Sequence, residues 1–152
     1  MSYHTWTTYG FGFCVDDIYT DISLTLEKVL NLAKMKPSVY KIVSEYLDDI
    51  CESENITRDE LDVDDLDDLE GDYCERGLAF ILYNVITEVS IVFADDYNGS
   101  QYILYTPHYP WRMQDNEREL SEEDVVKIFE KYIKILTDKP INIDYQSVEN
   151  GG

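Results

Sequence analysis

Residues 88–106 read EVSIVFADDYNGSQYILYT, and this stretch predicts the centre of the fold. Residues 88–95 and 101–106 are rich in β-branched and aromatic side chains, which favour strands. Between the two runs lies Asn98-Gly99, and an Asn-Gly pair between apolar runs is a strong signal for a β-hairpin. The sequence therefore predicts two neighbouring antiparallel strands in this part of the chain.

Two further strands are predicted near the ends of the chain. Residues 4–15 alternate, with Tyr9, Phe11 and Phe13 on one face and glycine or cysteine on the other. The small face allows another backbone to approach closely. Residues 141–148 form the second of these runs. We therefore expect four strands in total.

Helical periodicity occupies most of the remaining sequence. Helices are predicted over residues 22–35, capped by Asp21, and over residues 38–51, 72–87 and 121–136. The resulting order is β-α(n)-β-β-α-β, the split pattern of a ferredoxin-like α+β sandwich. We expect a four-stranded antiparallel sheet covered by helices. A length of 152 residues suits a single domain spanning residues 1–152.

Residues 45–75 form an acidic helical insertion in this pattern. Fifteen of these residues are Asp or Glu, out of 32 in the whole chain, and Arg58 is their only base. Thr57 and Glu60 match a capping box and predict the start of a helix. Beyond it, Leu66, Leu69 and Tyr73 fall on one helical stripe. The carboxylates would then lie on the remaining, outward faces.

The predicted helix would carry charge at nearly the density of a DNA duplex. Residues 59–70 would span about 18 Å. Eight carboxylates over that length give about one charge per 2.2 Å, against about one per 1.7 Å of axis in B-form DNA. A row of like charges also has a simpler interpretation, since many such runs only keep a protein soluble. Both interpretations remain open from the sequence.

Composition narrows the class of partner. The formal charge is −20, so nucleic acid and anionic membranes are repelled and basic proteins are attracted. Hydrophobic residues make up 44%, enough for a folded core. The first residues show no signal-peptide pattern, and no run is long enough to span a membrane. We therefore expect no direct contact with nucleic acid or membrane, and a location in the cytoplasm of a bacterial host.

The residues that could carry chemistry do not form a recognisable catalytic pattern. Cys14, His4 and His108 could supply a nucleophile and a base, but nothing in their spacing brings them together. No register of the acidic stretch fits a calcium-binding EF-hand, and the scattered cysteines do not suit zinc. We expect no cofactor, no metal and no enzymatic activity. An enzyme hidden in the sandwich fold is an alternative, which predicts a pocket with convergent polar groups.

Aromatic residues offer a second kind of contact. The chain has 13 tyrosines and two tryptophans, residue types that anchor protein interfaces. Tyr97 at the hairpin tip, and Tyr105, Tyr109 and Trp111 around a proline-rich loop, are candidates for exposure. The alternative is that these rings pack against the second face of the sheet.

Several segments resemble one group of proteins. They are YHTWTTYGFGFCVDD (residues 3–17), DDYNGSQYILY (95–105), TPHYPW (106–111), ELSEEDVVKIFEKYI (119–133) and IDYQSVENGG (143–152). They are similar to uncharacterised small acidic proteins of phages and mobile elements of Gram-positive bacteria. Small acidic phage proteins include anti-CRISPR inhibitors, some of which mimic DNA. The resemblance therefore implies a phage-type inhibitor of host defence.

Charge and resemblance together predict a non-enzymatic DNA mimic that occupies the basic nucleic-acid site of an effector nuclease such as Cas9. The predicted partner-binding residues are Asp48, Asp49, Glu52, Asp59, Glu60, Asp62, Asp64, Asp65, Asp67, Asp68, Glu70, Asp72, Tyr97, Tyr109 and Trp111. The alternative is a structural or assembly module that binds through its aromatics, with the acids serving only solubility.

Overall fold

The computed structural model describes residues 6–106 and 120–150. Its elements are β1 (Trp6–Cys14), α1 (Asp16–Tyr19), α2 (Leu26–Ala33), α3 (Pro37–Glu54), α4 (Leu78–Val85), β2 (Ile91–Asp95), β3 (Gln101–Tyr105), α5 (Glu122–Leu136) and β4 (Asp144–Asn150). Two short 3₁₀ turns, Arg58–Glu60 and Val63–Leu66, lie between α3 and α4.

The four strands form one antiparallel sheet in the order β2-β3-β1-β4. Strand β3 separates β1 from β2, and β1 separates β3 from β4, so each helical crossover spans one intervening strand. This arrangement is the split β-α-β of the ferredoxin-like pattern. The predicted fold class, an α+β protein with a four-stranded antiparallel sheet, is confirmed.

The main core lies between the sheet and the helices. Phe13 of β1, Ile103 of β3 and Phe129 of α5 are fully buried. The rings of Phe13 and Phe129 meet edge to face with centroids 5.3 Å apart. Burial of one such side chain contributes roughly 1.5–3 kcal/mol. This packing fixes α5 against the sheet.

The sheet is curled, and its face opposite the helices encloses a small second core. The edge strands β2 and β4 approach within 8 Å between Cα atoms, although they are not hydrogen-bonded neighbours. Ala94, Leu104 and Val148 are buried between them. A Cβ atom at Gly12 would lie 1.9 Å from the carbonyl oxygen of Ile103, so the glycine is required by the close approach of β3.

The predicted hairpin joins β2 and β3. Asp96 accepts hydrogen bonds from the backbone N–H groups of Asn98 and Ser100, both at 2.9 Å. Gly99 has φ 89°, which favours glycine. Tyr97 lies in this turn and is 69% exposed. Tyr105 is buried at 9% exposure, so its predicted exposure is wrong, and Tyr109 and Trp111 lie outside the described residues.

Two helices begin later than predicted. Helix α2 starts at Leu26 with Thr25 as its N-cap, because Asp21 instead accepts hydrogen bonds from Ser23 within a turn. Helix α4 starts at Leu78, because the preceding residues form a separate turn that ends at Gly77 with φ 55°. In both cases a short polar side chain or a glycine favours a turn over another helical turn.

The predicted continuous helix over residues 59–70 is wrong. The turn after Thr57, Arg58–Glu60, is helical but of the 3₁₀ type, and it ends before Leu61. A second 3₁₀ turn follows at Val63–Leu66. Aspartate is a poor helix former, because its carboxylate binds nearby backbone N–H groups. The estimated charge spacing of about 2.2 Å, which assumed a helix, therefore no longer applies.

Candidate acidic interaction surface

The acidic segment, defined as residues 45–75, is anchored to the core by Leu47 within α3 and by four apolar side chains in the turns that follow. Leu66 is fully buried, and Leu61, Val63 and Leu69 are each at most 8% exposed. Tyr73, which was predicted to share their stripe, is 67% exposed. Successive buried positions in these turns differ by two or three in residue number, a spacing that suits tight turns. The segment is therefore held on the folded protein.

Four of the carboxylates stabilise these turns. Glu60 accepts a hydrogen bond from the backbone N–H of Thr57 at 2.9 Å. Asp62 accepts from the N–H of Asp64 at 3.0 Å, and Asp65 accepts from the N–H of Asp62 at 2.8 Å. Because each of the three satisfies a backbone donor next to a turn, they act as caps.

The fourth carboxylate that stabilises the turns belongs to Glu75, which is only 2% exposed. Its carboxylate accepts from the backbone N–H of Tyr73 at 2.8 Å. A Cβ atom at Gly71 would lie 2.0 Å from Glu75 Oε1, so the glycine leaves room for the buried carboxylate. The turn before α4 is thus built around this side chain.

A fifth carboxylate is neutralised inside the chain. The guanidinium of Arg58 contacts Asp48 Oδ1 at 2.7 Å and also donates to the carbonyl and hydroxyl oxygens of Ser44. Arg58 therefore ties the first 3₁₀ turn to α3. Asp48, which was predicted to bind a partner, already has a charge partner in the structure.

The other ten carboxylates of the segment have no hydrogen-bond or ion-pair partner among the described residues. All of them are exposed. They are Glu45, Asp49, Glu52, Glu54, Asp59, Asp64, Asp67, Asp68, Glu70 and Asp72. Eight of these ten belong to the predicted partner-binding set.

The acidic surface extends beyond the segment into a shallow cleft of about 400 Å³. The cleft is lined by Asp64 and Asp67 of the segment and by Asp16, Tyr19, Arg76 and Gln101. Asp16 begins α1, and Gln101 begins β3. The fold therefore adds a carboxylate from α1 to those of the acidic segment.

Desolvation and like charges raise pKa values around this cleft. Partial burial is the largest cause that raises the pKa of Asp67, followed by the charges of Asp64 and Asp68, while Arg76 lowers it. Burial also raises the pKa of Asp16. The pKa of Tyr19 is raised to about 12 by burial and then by nearby carboxylates. Adding another negative charge here is thus costly, and a cation would be stabilised.

The negative field also reaches α3. Burial raises the pKa of Tyr46, and the charges of Asp68, Asp65 and Asp67 raise it further. The charges of Asp65, Asp67 and Asp68 therefore act on a side chain of α3. The exposed acids of α3, Asp49 and Glu52, and those of the turns belong to one continuous chain segment.

Of the three residues considered for catalysis, only Cys14 lies in the described part of the chain. Burial raises the pKa of the Cys14 thiol, which lowers its nucleophilicity at neutral pH. His4 and His108 lie outside the described residues. Within residues 6–106 and 120–150, no group of three His, Cys, Asp or Glu side chains is arranged to hold a metal ion.

Sequence reasoning missed three features of this surface. Asp62 and Asp65 form a second capping box, whose signal was the spacing Asp-x-x-Asp before an apolar residue. Glu75 was counted among the acids of the segment, and its burial was not predicted. Asp16 joins the cleft only through the tertiary fold, and no local signal could have placed it there.

No helix in the described part of the chain is long and apolar enough to cross a membrane. Comparisons of the chain with models of protein families, with curated proteins and with solved structures found no match.

Proposed function

We propose that this protein is a non-enzymatic inhibitor that presents a DNA-like anionic surface to a basic nucleic-acid-binding protein. The observation that carries the proposal is that the acidic segment combines exposed carboxylates with an anchored backbone. Ten exposed carboxylates lack partners among the described residues, while buried leucines and a valine hold their backbone in place. Because the backbone is held in place, these carboxylates lose less conformational entropy on binding than those of a disordered segment would.

The partner that fits is a protein with clustered arginines and lysines. Charge-assisted hydrogen bonds between such side chains and carboxylates are roughly twice as strong as neutral ones. The cleft adds three carboxylates, those of Asp16, Asp64 and Asp67, beside the chain's own Arg76. A CRISPR effector such as Cas9 is the first candidate, because it reads DNA through arginines and holds nucleic acid in a basic channel.

The test replaces acids that have no role in the turns. The variant Asp64→Asn, Asp67→Asn, Asp68→Asn removes three charges and leaves the caps Glu60, Asp62 and Asp65 intact. At about 1 kcal/mol per lost ion pair, binding should weaken by about 3 kcal/mol, or roughly 100-fold. The measurement is competition with duplex DNA for the effector.

A matched control removes the same number of charges elsewhere. Glu27→Gln, Asp138→Asn and Glu149→Gln are at exposed positions outside the acidic segment. This control variant should compete nearly as well as the native chain. Equal loss in both variants would show that net charge alone attracts the partner, and no loss in the first variant would overturn the proposal.

Exposed tyrosines support one alternative, a module that assembles with itself or with a non-basic protein. Tyr9, Tyr97 and Tyr145 are each 68–69% exposed. Interfaces dominated by aromatics respond little to salt, whereas exposed ion pairs weaken as the Debye length falls from ~8 Å at physiological salt to ~3 Å at 1 M. A salt titration of partner binding therefore separates the two functions.

A further inference from the structure

A second concave site lies at the other end of the sheet. This aromatic cavity has a volume of about 310 Å³, and its walls include Tyr9, Phe11, Tyr105, Glu122 and Tyr145. Gln101 borders the acidic cleft and Tyr105 borders the aromatic cavity. Gln101 and Tyr105 are four residue steps apart along β3, which corresponds to about 14 Å. The two sites are therefore distinct.

Strand register brings the rings together. Phe11 of β1 pairs with Tyr105 on one side and with Tyr145 on the other. Directly opposed residues of antiparallel strands have Cβ atoms about 4.5–5.5 Å apart, so the three rings form a row across the sheet. The rings of Phe11 and Tyr145 meet edge to face with centroids 5.1 Å apart. Tyr9 extends the row along β1.

Helix α5 leaves this row partly uncovered. The helix begins at Glu122, and Val125 in its first turns packs at the cavity wall. Tyr9 and Tyr145 remain 69% and 68% exposed. Two neighbouring tyrosines with such exposure offer ring surface to a ligand and contribute little to the core.

The charge at the cavity is negative. The hydroxyl of Tyr145 donates to Glu122 Oε1, which fixes a carboxylate beside the rings. An adjoining depression is lined by four acids, Glu122, Glu123, Glu130 and Asp144, and by one base, Lys127. An anion at the start of α5 would be repelled by the acids of its first turn, Glu122, Glu123 and Asp124. The site is therefore complementary to a cation that also has apolar surface.

We propose that the aromatic cavity binds the guanidinium group of one arginine side chain from a protein partner. Aromatic faces attract cations, and guanidinium stacks on rings more readily than ammonium because it is planar and weakly hydrated. Glu122 supplies the opposite charge. The volume lies at the lower end of the ~300–1,000 Å³ range of ligand pockets, which suits a single side chain.

The first test uses N-acetyl-arginine methylamide and its neutral citrulline counterpart as probes. Both are titrated into the native chain while the tyrosine ring signals are followed by NMR. At about 0.5 M KCl the Debye length falls below ~5 Å, so diffuse attraction to the net charge is screened. We expect the arginine probe to bind more tightly and to shift the Tyr9 and Tyr145 signals. Equal binding of the citrulline probe would overturn the proposal.

The second test uses matched variants. Tyr9→Leu and Tyr145→Leu keep apolar volume but remove a ring, and each should weaken arginine binding about two- to thirtyfold. Glu122→Gln should weaken the arginine probe and leave the citrulline probe unchanged. Tyr97→Leu is the control, because Tyr97 is equally exposed but does not line the cavity. A similar loss with Tyr97→Leu would refute a specific site.

A third comparison separates this inference from the proposed function. The variant Asp64→Asn, Asp67→Asn, Asp68→Asn should bind the arginine probe at the aromatic cavity as the native chain does. If the arginine probe no longer shifts the Tyr9 and Tyr145 signals of this variant, the acidic segment held the probe and the cavity assignment is wrong. Failure of the DNA-competition test would leave the cavity result unaffected.

Discussion

Replacing Asp67 with asparagine should make the protein more stable at neutral pH. Partial burial is the largest cause that raises the pKa of Asp67; the charges of Asp64, Asp68 and Asp62 raise it further, and Arg76 lowers it. Neighbouring like charges on a helix cost roughly 0.2–0.5 kcal/mol per pair. Three repulsive pairs and one attractive pair of similar energy leave a net cost equal to that of about two repulsive pairs. The free energy of unfolding should therefore rise by about 0.5–1 kcal/mol.

The pH dependence of this gain follows from the sign of the pKa shift. The pKa of Asp67 is raised in the folded protein, above about 3.9 for an unfolded aspartate. The folded state therefore binds a proton more readily, and the penalty of ionisation is complete above the folded pKa. It disappears as the pH falls below the unfolded pKa. The difference between the Asp67→Asn variant and the native chain should vanish near pH ~3.

Urea denaturation followed by circular dichroism measures the difference. At pH 7 and low salt the midpoint should rise, and thermal unfolding should shift upward by about 2 °C. Asp138→Asn is the control, because Asp138 is exposed and lies outside the acidic segment. The gain should shrink at 1 M salt. A loss of stability at pH 7 would refute the reasoning, since it would mean that the Asp67 carboxylate makes a favourable contact.

Three further predictions concern other parts of the fold. Leu66→Ala should reduce the free energy of unfolding by about 3 kcal/mol in urea, because Leu66 is fully buried; a loss below about 1 kcal/mol would mean that the acidic segment is not anchored there. Gly12→Ala should cost at least ~3 kcal/mol, because the new Cβ would overlap the Ile103 carbonyl, whereas Gly99→Ala, which meets no atom, should cost about 1 kcal/mol from its φ of 89° alone. The pKa of Asp21 is lowered to about 2, chiefly by the hydrogen bond from Thr137 and then by those from Ser23. The stabilising effect of the Asp21 carboxylate is therefore present above pH ~4 and is lost as the pH falls toward 2. Asp21→Asn should make the acid-unfolding curve flatter in this window, and an unchanged curve would contradict the assignment.

The sheet was predictable because its signals are local. Asn98-Gly99 with Asp96 defines the hairpin, and the alternation of Phe11 and Phe13 with glycines marks β1 as a strand with one buried face. Once the strands and helices are in order, short connections and right-handed crossovers leave few topologies. What the sequence could not predict was the curl of the sheet, because the approach of β2 to β4 depends on contacts between distant residues.

The helix prediction failed in the acidic segment for a reason that the residues themselves supply. Thr57 and Glu60 do start a helical turn. The next residues offer carboxylates that bind backbone N–H groups directly, as Asp62 and Asp65 do. Each such bond replaces part of the helical ladder, and repulsion between close aspartates opposes a longer helix. A count of helical spacings does not include this competition.

The candidate sites show the same limit. Ten of the acidic residues could be identified from composition as an exposed charge run, but their separation from the five that cap, pair or are buried required the structure. The aromatic cavity depends on register, since only the pairing of Phe11 with Tyr105 and Tyr145 aligns their rings. Shifting one strand by a single residue would place its ring on the opposite face.

Some acids of the segment stabilise its turns and others do not, and this difference bears on why the segment is so strongly charged. Glu60, Asp62, Asp65 and Glu75 already satisfy the backbone of the turns, and Asp48 with Arg58 ties them to α3. The remaining ten carboxylates add repulsion and are not needed for the local structure. A solubilising surface could intersperse lysines and lower that cost. The cost of these charges on an anchored backbone supports the proposal that a basic partner completes the charge of this surface.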